Sequence, residues 1–343
     1  MRRARRLRLS ILDQSPVPEG LTPAEALGHT IALARRAEAL GYERYWIAEH
    51  HGMAGLASTA PEILMARLGA ETSTIRIGSG AVLLPHYSPM KVAETFRVLH
   101  ALHPGRIDLG IGRAPGGSGV EAYALRRDQG QQAAVDDFPE KLAELLAFLE
   151  RDFPASHPFG RITVAPDMPG TPTVWLLGSS AWSASAAAQF SLPYAFAHFI
   201  SPRPTVGSLA RYRDEFVPSA RTPAARALVC LGAVCAESRA EAERLFASAR
   251  LFRHRVRRGD LRPVPTPEAA LAGLGPGPDA LDRVPGEPLR YVVGTPHEVR
   301  EQLLALAAAW QVEELMIVTV VHDPAARLRS YELLAEACGL APR

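Results

Sequence analysis

Short apolar segments and longer amphipathic segments alternate along most of the chain. The apolar segments are bounded by turn residues, which is typical of strands buried on both faces. They predict strands at residues 7–12, 45–48, 75–84, 106–112, 174–177, 194–197, 227–234 and 315–320. Residues 291–293 form a further short strand-like segment. Continuous apolar strands of this kind favour a parallel sheet.

The segments between the strands carry helix start signals. In Thr22-Pro23-Ala24-Glu25, a threonine cap is followed by proline in the first turn and by glutamate three residues on. Apolar residues then recur at helical spacing until Gly41, a typical stop. Similar signals predict helix starts with capping boxes at Thr59 and Thr295. Strands and helices are therefore expected to alternate.

This alternation repeats about eight times without a break in composition. It predicts one (β/α)8 TIM-barrel domain over residues 1–343, with a doubly wound sheet as the alternative. Residues 151–172 hold several prolines, which predicts an insertion with a hairpin at residues 161–164. Residues 257–287 are rich in proline and glycine, which predicts either a mobile loop or an ordered insertion.

The composition excludes several classes of function. A net charge of +2 gives no electrostatic reason to bind nucleic acid or a membrane surface. Three cysteines in apolar surroundings indicate neither a disulfide framework nor a zinc site, which predicts a reducing, cytoplasmic location. The basic start of the chain precedes too short an apolar run for a signal peptide, and no run is long enough to span a bilayer.

Polar residues follow most of the predicted strands. Because the carboxyl ends of barrel strands converge on one face, these residues are expected to form the active site. They are Asp13-Gln14, Glu49-His50-His51, Pro85-His86-Tyr87, Arg113, Ser179-Ser180, His198-Phe199 and His322-Asp323. A single histidine at a strand end is weak evidence, but their joint occurrence at successive strand ends favours a site.

Two of these strand ends suit an anionic, flat ligand. Residues 110–116 resemble a dinucleotide fingerprint, but the third glycine is misplaced and no helix follows directly. We therefore interpret Gly112 as room for a flat ligand against the backbone, and Arg113 as a positive charge suited to phosphate. Residues 178–183 place small residues and hydroxyls at a helix start, which favours an anion or, equally, simple helix capping.

Other classes of protein remain as alternatives. A metal hydrolase would use His50, His51, His198 and His322 as ligands. Against it, adjacent histidines on an extended backbone point apart. A binding or structural protein without catalysis would also tolerate polar strand ends.

Four motifs along nearly the whole chain resemble the flavin-dependent luciferase-like monooxygenases, the group that contains bacterial luciferase. These motifs lie at residues 45–51, 77–85, 104–113 and 293–296. The resemblance implies a TIM barrel that binds reduced FMN or, in some branches, the deazaflavin F420. It implies an oxidoreductase in which O2 forms a peroxyflavin that oxidises a small organic or natural-product substrate. An F420-dependent hydride transferase on the same barrel is the alternative.

The resemblance also implies roles for individual residues. Arg113 matches the arginine that holds the flavin phosphate, and Ser180 and Ser183 match the hydroxyls that share it, beside Ser179. Gly80-Ala81 matches a non-proline cis peptide under the flavin ring. His50 matches the histidine that acts as acid or base near the reacting flavin position. The remaining strand-end residues are assigned to the substrate pocket: Asp13, His51, His86, Tyr87, His198, Phe199 and His322.

The resemblance further implies partners. Most monooxygenases of this family receive reduced FMN from a separate flavin reductase, and many are homodimers that pack through early helices. Residues 257–287 correspond to a mobile loop that covers the active site. Luciferase has a cysteine directly before the phosphate arginine, whereas this chain has Gly112. That departure argues against light emission and an aldehyde substrate.

Overall fold

The computed structural model describes residues 7–126, 137–274 and 288–342. Its strands are β1 (Arg8–Asp13), β2 (Arg44–Ile47), β3 (Arg76–Ser79), β4 (Val82–Leu83), β5 (Ile107–Gly112), β6 (Thr173–Gly178), β7 (Tyr194–Ala197), β8 (Ala227–Cys235), β9 (Tyr291–Gly294) and β10 (Glu314–Val318). Its helices are α1 (Pro23–Leu40), α2 (Pro61–Glu71), α3 (Pro89–Leu102), α4 (Gly119–Leu125), α5 (Phe138–Glu150), α6 (Ala181–Gln189), α7 (Thr205–Asp214), α8 (Arg239–Arg257), α9 (Pro267–Leu274), α10 (Pro296–Trp310) and α11 (Pro324–Ala337).

Eight parallel strands close into a barrel, which confirms the predicted TIM barrel and rejects the doubly wound sheet. The order around the barrel is β1-β2-β3-β5-β6-β7-β8-β10, and β10 pairs with both β1 and β8. The amino-terminal part of β8 pairs with β10, for example at Val229 and Leu315. Its carboxyl-terminal part pairs with β9, from Gly232 with Tyr291 onward.

The amino ends of the strands hold a buried cluster of charges. Arg44 Nη1 donates to Asp108 Oδ2, and Arg44 Nε donates to Glu314 Oε1, each at 2.7 Å. Arg76 Nη2 adds a bond to Asp108 Oδ1 at 2.6 Å. Ion pairs thereby fill the interior of the barrel at this end.

The strand predicted at residues 75–84 is two strands. The peptide bond between Gly80 and Ala81 is cis, as the resemblance predicts, and it separates β3 from β4. At the break, Gly80 N–H donates to the Ile47 carbonyl at 2.7 Å. The Gly110 N–H donates to Ser79 Oγ at 3.0 Å. Short bonds to both neighbouring strands therefore hold the irregular backbone in the barrel wall.

Two helix starts have the predicted capping box and one does not. Thr22 and Thr295 cap α1 and α10 together with the glutamate three residues later. The second helix, α2, is preceded by Ala60, which offers no side-chain cap. The prediction of a capping box at Thr59 was therefore wrong, although Pro61 begins the helix as expected.

The structure describes one of the two predicted insertions fully and the other in part. The hairpin at residues 161–164 is wrong, because Pro158–Arg161 is a 3-10 turn and no strand follows it there. The segment 257–287 contains helix α9, and Val264 before it bridges to Pro18. Its residues 275–287 lie outside the described part. Among the helices described, none has the length and apolar character needed to cross a bilayer.

Candidate active site

A cavity of about 550 Å³ opens among the carboxyl ends of the barrel strands. Several residues predicted for the cofactor or the substrate line it together: His50, Gly80, Ala81, Gly112, Arg113, Ser179, Ser180, Ser183 and Phe199. Its inner wall is apolar and includes Trp46, Cys230 and Met316. The cavity therefore combines a few polar groups near its mouth with an apolar floor, the usual composition of a small-molecule site.

His50 lies just beyond the end of β2 and is held in its neutral form. Burial, together with the adjacent His51 ring, lowers the pKa of His50 to about 4. Gln14 Nε2 lies 3.5 Å from His50 Nε2. His50 Nδ1 is shielded from solvent and has no hydrogen-bond partner in the described part of the chain.

The start of α6 and Arg113 form a corner suited to an anion. Ser180 is the N-cap of α6, and its Oγ accepts from the Ser183 N–H at 3.3 Å. Ser183 Oγ in turn donates to the Ser180 carbonyl at 2.8 Å. Because helix geometry leaves the first N–H groups without intrahelical partners, those of Ala181 and Trp182 remain for a ligand. The helix dipole and the Arg113 charge both favour a negative group here.

Small residues let the backbones of neighbouring strands approach closely at the cavity wall. A Cβ atom added at Gly112 would lie 3.1 Å from the Ala81 Cβ. One added at Gly80 would lie 2.6 Å from Leu12 Cδ1. Larger residues at either glycine would therefore have to displace the wall or intrude on the cavity. This wall suits a flat group that lies against the backbone.

The buried carboxylate of Glu49, which follows β2, bonds to β4 and to the turn after it. Glu49 Oε1 accepts from Tyr87 Oη and lies 2.7 Å from His51 Nε2, while Oε2 accepts from the Leu83 N–H at 3.0 Å. Burial, together with the hydrogen bond to Glu49, raises the pKa of Tyr87 above its ordinary value. His51 and Tyr87 thus do not line the cavity but stand behind its wall as partners of Glu49.

The sequence profile described as luciferase-like monooxygenase matches residues 7–313. The chain belongs to the luciferase-like monooxygenase family. An Escherichia coli (strain K12) luciferase-like monooxygenase is 40% identical over 324 residues, which cover 94% of this chain and 95% of that protein. The N-acetyl-S-alkylcysteine monooxygenase of Bacillus subtilis (strain 168) is 38% identical, with 98% of this chain and 100% of that protein covered. The chain is accordingly a monooxygenase, an oxidoreductase that acts on a small molecule and O2.

Solved structures agree with this luciferase-like monooxygenase fold. The crystal structure of apo-MsnO8 has 50% identity and a TM-score of 0.91 over 99% of both chains. At 21% identity, an oxygenating constituent of 3,6-diketocamphane monooxygenase from a Pseudomonas putida plasmid, in complex with FMN, has a TM-score of 0.74 and covers 98% of both chains. At 13% identity, an F420-dependent secondary alcohol dehydrogenase with an F420-acetone adduct has a TM-score of 0.67 over 97% of this chain and 99% of that chain. The two distant structures show the fold alone.

Other residues predicted for the substrate pocket of this luciferase-like monooxygenase lie outside the cavity lining. His198 is fully buried, with Nδ1 2.7 Å from Thr205 Oγ1 and Nε2 donating to the Leu289 carbonyl at 2.9 Å. His322 Nε2 donates to the Glu19 carbonyl at 2.9 Å. Both rings hold neighbouring backbone or hydroxyl groups, so their assignment to the pocket was wrong.

Asp13 and His86 also lie outside the cavity lining. Asp13 Oδ1 accepts from Arg327 Nη2 at 2.6 Å, and Oδ2 accepts from Thr30 Oγ1 at 2.8 Å. Burial alone would raise the pKa of Asp13, but the Arg327 guanidinium and the hydrogen bonds hold it below its ordinary value. His86 Nε2 donates to the Pro115 carbonyl at 2.8 Å. Asp13 is therefore a buried structural ion, and His86 secures the backbone beside the cavity.

The histidines proposed for a metal hydrolase are not brought together. Across the described ranges, no group of three or more histidine, cysteine, aspartate or glutamate side chains has the spacing to hold a metal ion. His198 and His322 are each occupied by the contacts given above, and His50 faces a cavity that they do not reach.

A larger groove of about 1090 Å³ lies at the opposite end of the barrel in this luciferase-like monooxygenase. It is lined by the amino ends of β1, β6 and β8, with Arg8, Thr173 and Arg226 among its residues. The residues predicted for the active site do not line it. Because TIM-barrel enzymes place chemistry at the carboxyl ends, the smaller cavity is the candidate active site.

The floor of the cavity and one side of its mouth were not predicted. Trp46, Cys230 and Met316 lie inside predicted strands, and Trp182 and Phe138 lie at helix starts. The parity of side chains along the strands was the available signal, because Trp46 and His50 are an even number of residues apart. Nothing in the sequence marked Phe138 or Trp182.

Proposed function

We propose that this protein is an FMN-dependent monooxygenase that uses reduced FMN and O2 to oxidise a small organic molecule. The observation that carries the proposal is one cavity that is lined both by the neutral ring of His50 and by a helix start suited to an anion. Arg113 and the start of α6 form that second part. A phosphate-bearing flat cofactor matches both features.

The phosphate corner would hold the FMN phosphate. Arg113 would place its guanidinium against the phosphate, and the N–H groups of Ala181 and Trp182 would donate to it. The Ser180 hydroxyl accepts from the helix backbone, and the Ser183 hydroxyl is bonded inside the helix start. We therefore assign both serines mainly to shaping the helix start, with Ser179 beside them.

The narrow wall at Gly80, Ala81 and Gly112 would receive the flat ring of the cofactor. Reduced FMN, when bound, supplies the two electrons with which one oxygen atom of O2 enters the substrate and the other leaves as water. The apolar floor excludes bulk water from this part of the cavity. Trp46, Cys230 and Met316 are each at most 5% exposed and form that floor.

His50 would hold and move a proton at the wall of the cavity. Its lowered pKa keeps the ring neutral at pH 7, so the ring offers a ligand a hydrogen bond rather than a full positive charge. Gln14 Nε2 lies 3.5 Å from His50 Nε2 and is placed to orient the ring. A neutral donor suits a reaction in which charge builds up on oxygen.

We also propose two protein partners, a flavin reductase and a second copy of this chain. A separate flavin reductase would supply reduced FMN, and the chain would form a homodimer through its early helices. The dimer is favoured by exposed apolar side chains on α2 and α3, where Ile63 is 68% exposed and Leu102 is 59% exposed. Replacing Ile63 with glutamate should shift the protein from dimer to monomer in light scattering after gel filtration. A wild-type monomer would contradict the dimer.

The decisive experiment is an anaerobic fluorescence titration with reduced FMN, oxidised FMN and F420. Wild-type protein should bind reduced FMN more tightly than F420, and Arg113→Gln should weaken FMN binding by about tenfold or more, because a charge-assisted contact is lost. Arg300→Gln, on the outer side of α10, is the matched control and should bind FMN normally.

A second measurement tests oxygen transfer. The N-acetyl-S-alkylcysteine monooxygenase of Bacillus subtilis suggests thioethers of this kind as the first probe. With a flavin reductase and 18O2, the product should carry one labelled oxygen atom. Preferential binding of F420, with oxygen-independent turnover of an alcohol, would instead support the hydride-transferring alternative.

A further inference from the structure

The indole of Trp182 lies against the guanidinium of Arg113 at the mouth of the cavity. The Arg113 Cζ is 3.9 Å from the centre of the Trp182 ring, well within the range of a cation–π contact. Both residues line the cavity, and Trp182 is the second residue of α6. The contact therefore sits on the same helix start that we assign to the cofactor phosphate.

Trp182 also packs against a core residue, Phe138. The Phe138 ring meets it edge to face, with the ring centres 5.7 Å apart. Phe138 is 1% exposed and begins α5, so its ring is fixed in the core. The order of contacts runs from the core through Phe138 and Trp182 to Arg113. A rigid base of this kind orients the arginine better than solvent would.

We propose that Trp182 is a positioning residue that holds Arg113 ready for a phosphate and so gives the site its preference for phosphorylated flavins. This inference rests on the proposed function. Stacking uses the face of the guanidinium and consumes none of its in-plane N–H donors. The long arginine side chain otherwise loses considerable rotamer freedom when it binds an anion. Trp182 reduces that loss because the stack restricts the side chain before the ligand arrives.

The inference predicts different effects on FMN binding and on riboflavin binding, because these flavins differ only in the phosphate. Holding Arg113 affects the affinity for FMN and leaves the affinity for riboflavin unchanged. A direct contact of Trp182 with the flavin ring would instead affect both ligands equally. The ratio of the two dissociation constants therefore distinguishes positioning of the arginine from stacking on the ring.

The experiment compares wild-type protein with Trp182→Leu and Trp182→Phe by fluorescence titration or calorimetry. Leucine keeps an apolar side chain without a ring face, whereas phenylalanine keeps the face. Trp182→Leu should lower the preference for FMN over riboflavin by about two- to fivefold, the range expected for an exposed cation–π contact. Trp182→Phe should retain most of the preference. Circular dichroism of each variant checks that it folds.

A second comparison uses Arg113→Gln as the background. Because the arginine is then absent, adding Trp182→Leu should not lower the FMN preference further. An additional loss in this background would overturn the inference, as would an unchanged preference in Trp182→Leu alone. Equal losses for FMN and riboflavin would also overturn it.

If the proposed function is wrong, the wild-type protein itself gives a different result from the one expected here. Wild-type protein that does not prefer FMN to riboflavin would contradict the phosphate corner itself and this inference with it. If F420 is the ligand that binds, the same comparison is made between F420 and its phosphate-free deazaflavin core. The expected loss in Trp182→Leu is then the same, because the phosphate is still the group that Arg113 meets.

Discussion

The neutral state of His50 has a measurable effect on stability. The unfolded ring has an ordinary pKa near 6.5, whereas the folded ring has a pKa of about 4. Between these values the unfolded chain binds more protons than the folded one, so stability falls as the pH is lowered from about 6.5 toward 4. The neutral form of His50 therefore lowers the free energy of unfolding in acid.

The substitution His50→Gln should reduce this acid sensitivity. From pH 7 to pH 5, the wild-type free energy of unfolding should fall by about 2 kcal/mol more than that of the variant. Urea unfolding at both pH values measures the difference. His29, which lies on α1 away from the cavity, provides the control His29→Gln. An equal pH dependence in wild type and His50→Gln would contradict the neutral, buried ring.

The same histidine should matter for turnover more than for binding. His50→Ala is expected to retain its FMN affinity, because the phosphate corner is untouched, and to lose product formation. Titration with FMN and product analysis under 18O2 measure the two effects separately. Unchanged turnover would remove His50 from the chemistry.

Sequence alone identified many of the strand ends but misjudged which side chains face inward. On β7 and just beyond, Ala195, Ala197 and Phe199 line the cavity, while His198 between them is buried on the other side against Trp310. Successive side chains of an extended segment point to opposite faces, so parity would have separated Phe199 from His198. Chemical type alone selects His198 for the pocket, whereas position along the strand selects Phe199.

The start of α6 acts as one unit at the scale of secondary structure. Ser180 caps the helix and also lies in the cavity wall. A lost cap frees backbone N–H groups and loosens the first turn. Helix stability and anion binding are therefore coupled at this one turn.

Ser180→Ala should lower the free energy of unfolding by about 1 kcal/mol and also weaken FMN binding. Thr22→Ala removes a comparable cap from α1, where no cavity lining is involved, and should cost similar stability with normal FMN affinity. Chemical denaturation and FMN titration of both variants provide the comparison. Equal FMN affinities for the two variants would show that the cap and the cofactor site are independent.

The break between β3 and β4 explains why one element was predicted incorrectly. Its residues are apolar and small, so the hydrophobic pattern continues through Gly80-Ala81 without interruption. The irregular backbone makes contacts with Ile47 and Gly110, which lie on the two neighbouring strands. Periodicity carries no information on such contacts, whereas the resemblance to a family did predict the cis bond.

At the scale of the whole molecule, a buried ion pair ties the first strand to the last helix. Asp13 ends β1 and Arg327 lies on α11, and both side chains are almost completely excluded from solvent. Together with the pairing of β1 and β10, this contact fastens the two ends of the chain to each other. The ion pair therefore stabilises the closed barrel.

Replacing Arg327 with methionine should lower the free energy of unfolding by about 3–5 kcal/mol, because Asp13 is left buried without its counter-charge. The double variant Asp13→Asn with Arg327→Met should be more stable than the single one. The pKa of Asp13 is lowered in the folded state, so its contribution is present above the unfolded pKa and is lost as the pH falls through the folded value. Urea unfolding at pH 7 and at a pH below 3.8 tests both points. An Arg327→Met variant as stable as the wild type would contradict the ion pair's contribution.

The division of β8 between two partners separates the ladder that closes the barrel from the connection that follows β8. The amino-terminal part of β8 closes the ring with β10, and the carboxyl-terminal part carries β9 beside it. The long connection between β8 and β9 contains α8 and α9, so residues gained or lost in its loops leave the pairs of the closing ladder in place. A loop segment grafted there from a relative would thus change the outer surface without changing the contacts that close the barrel.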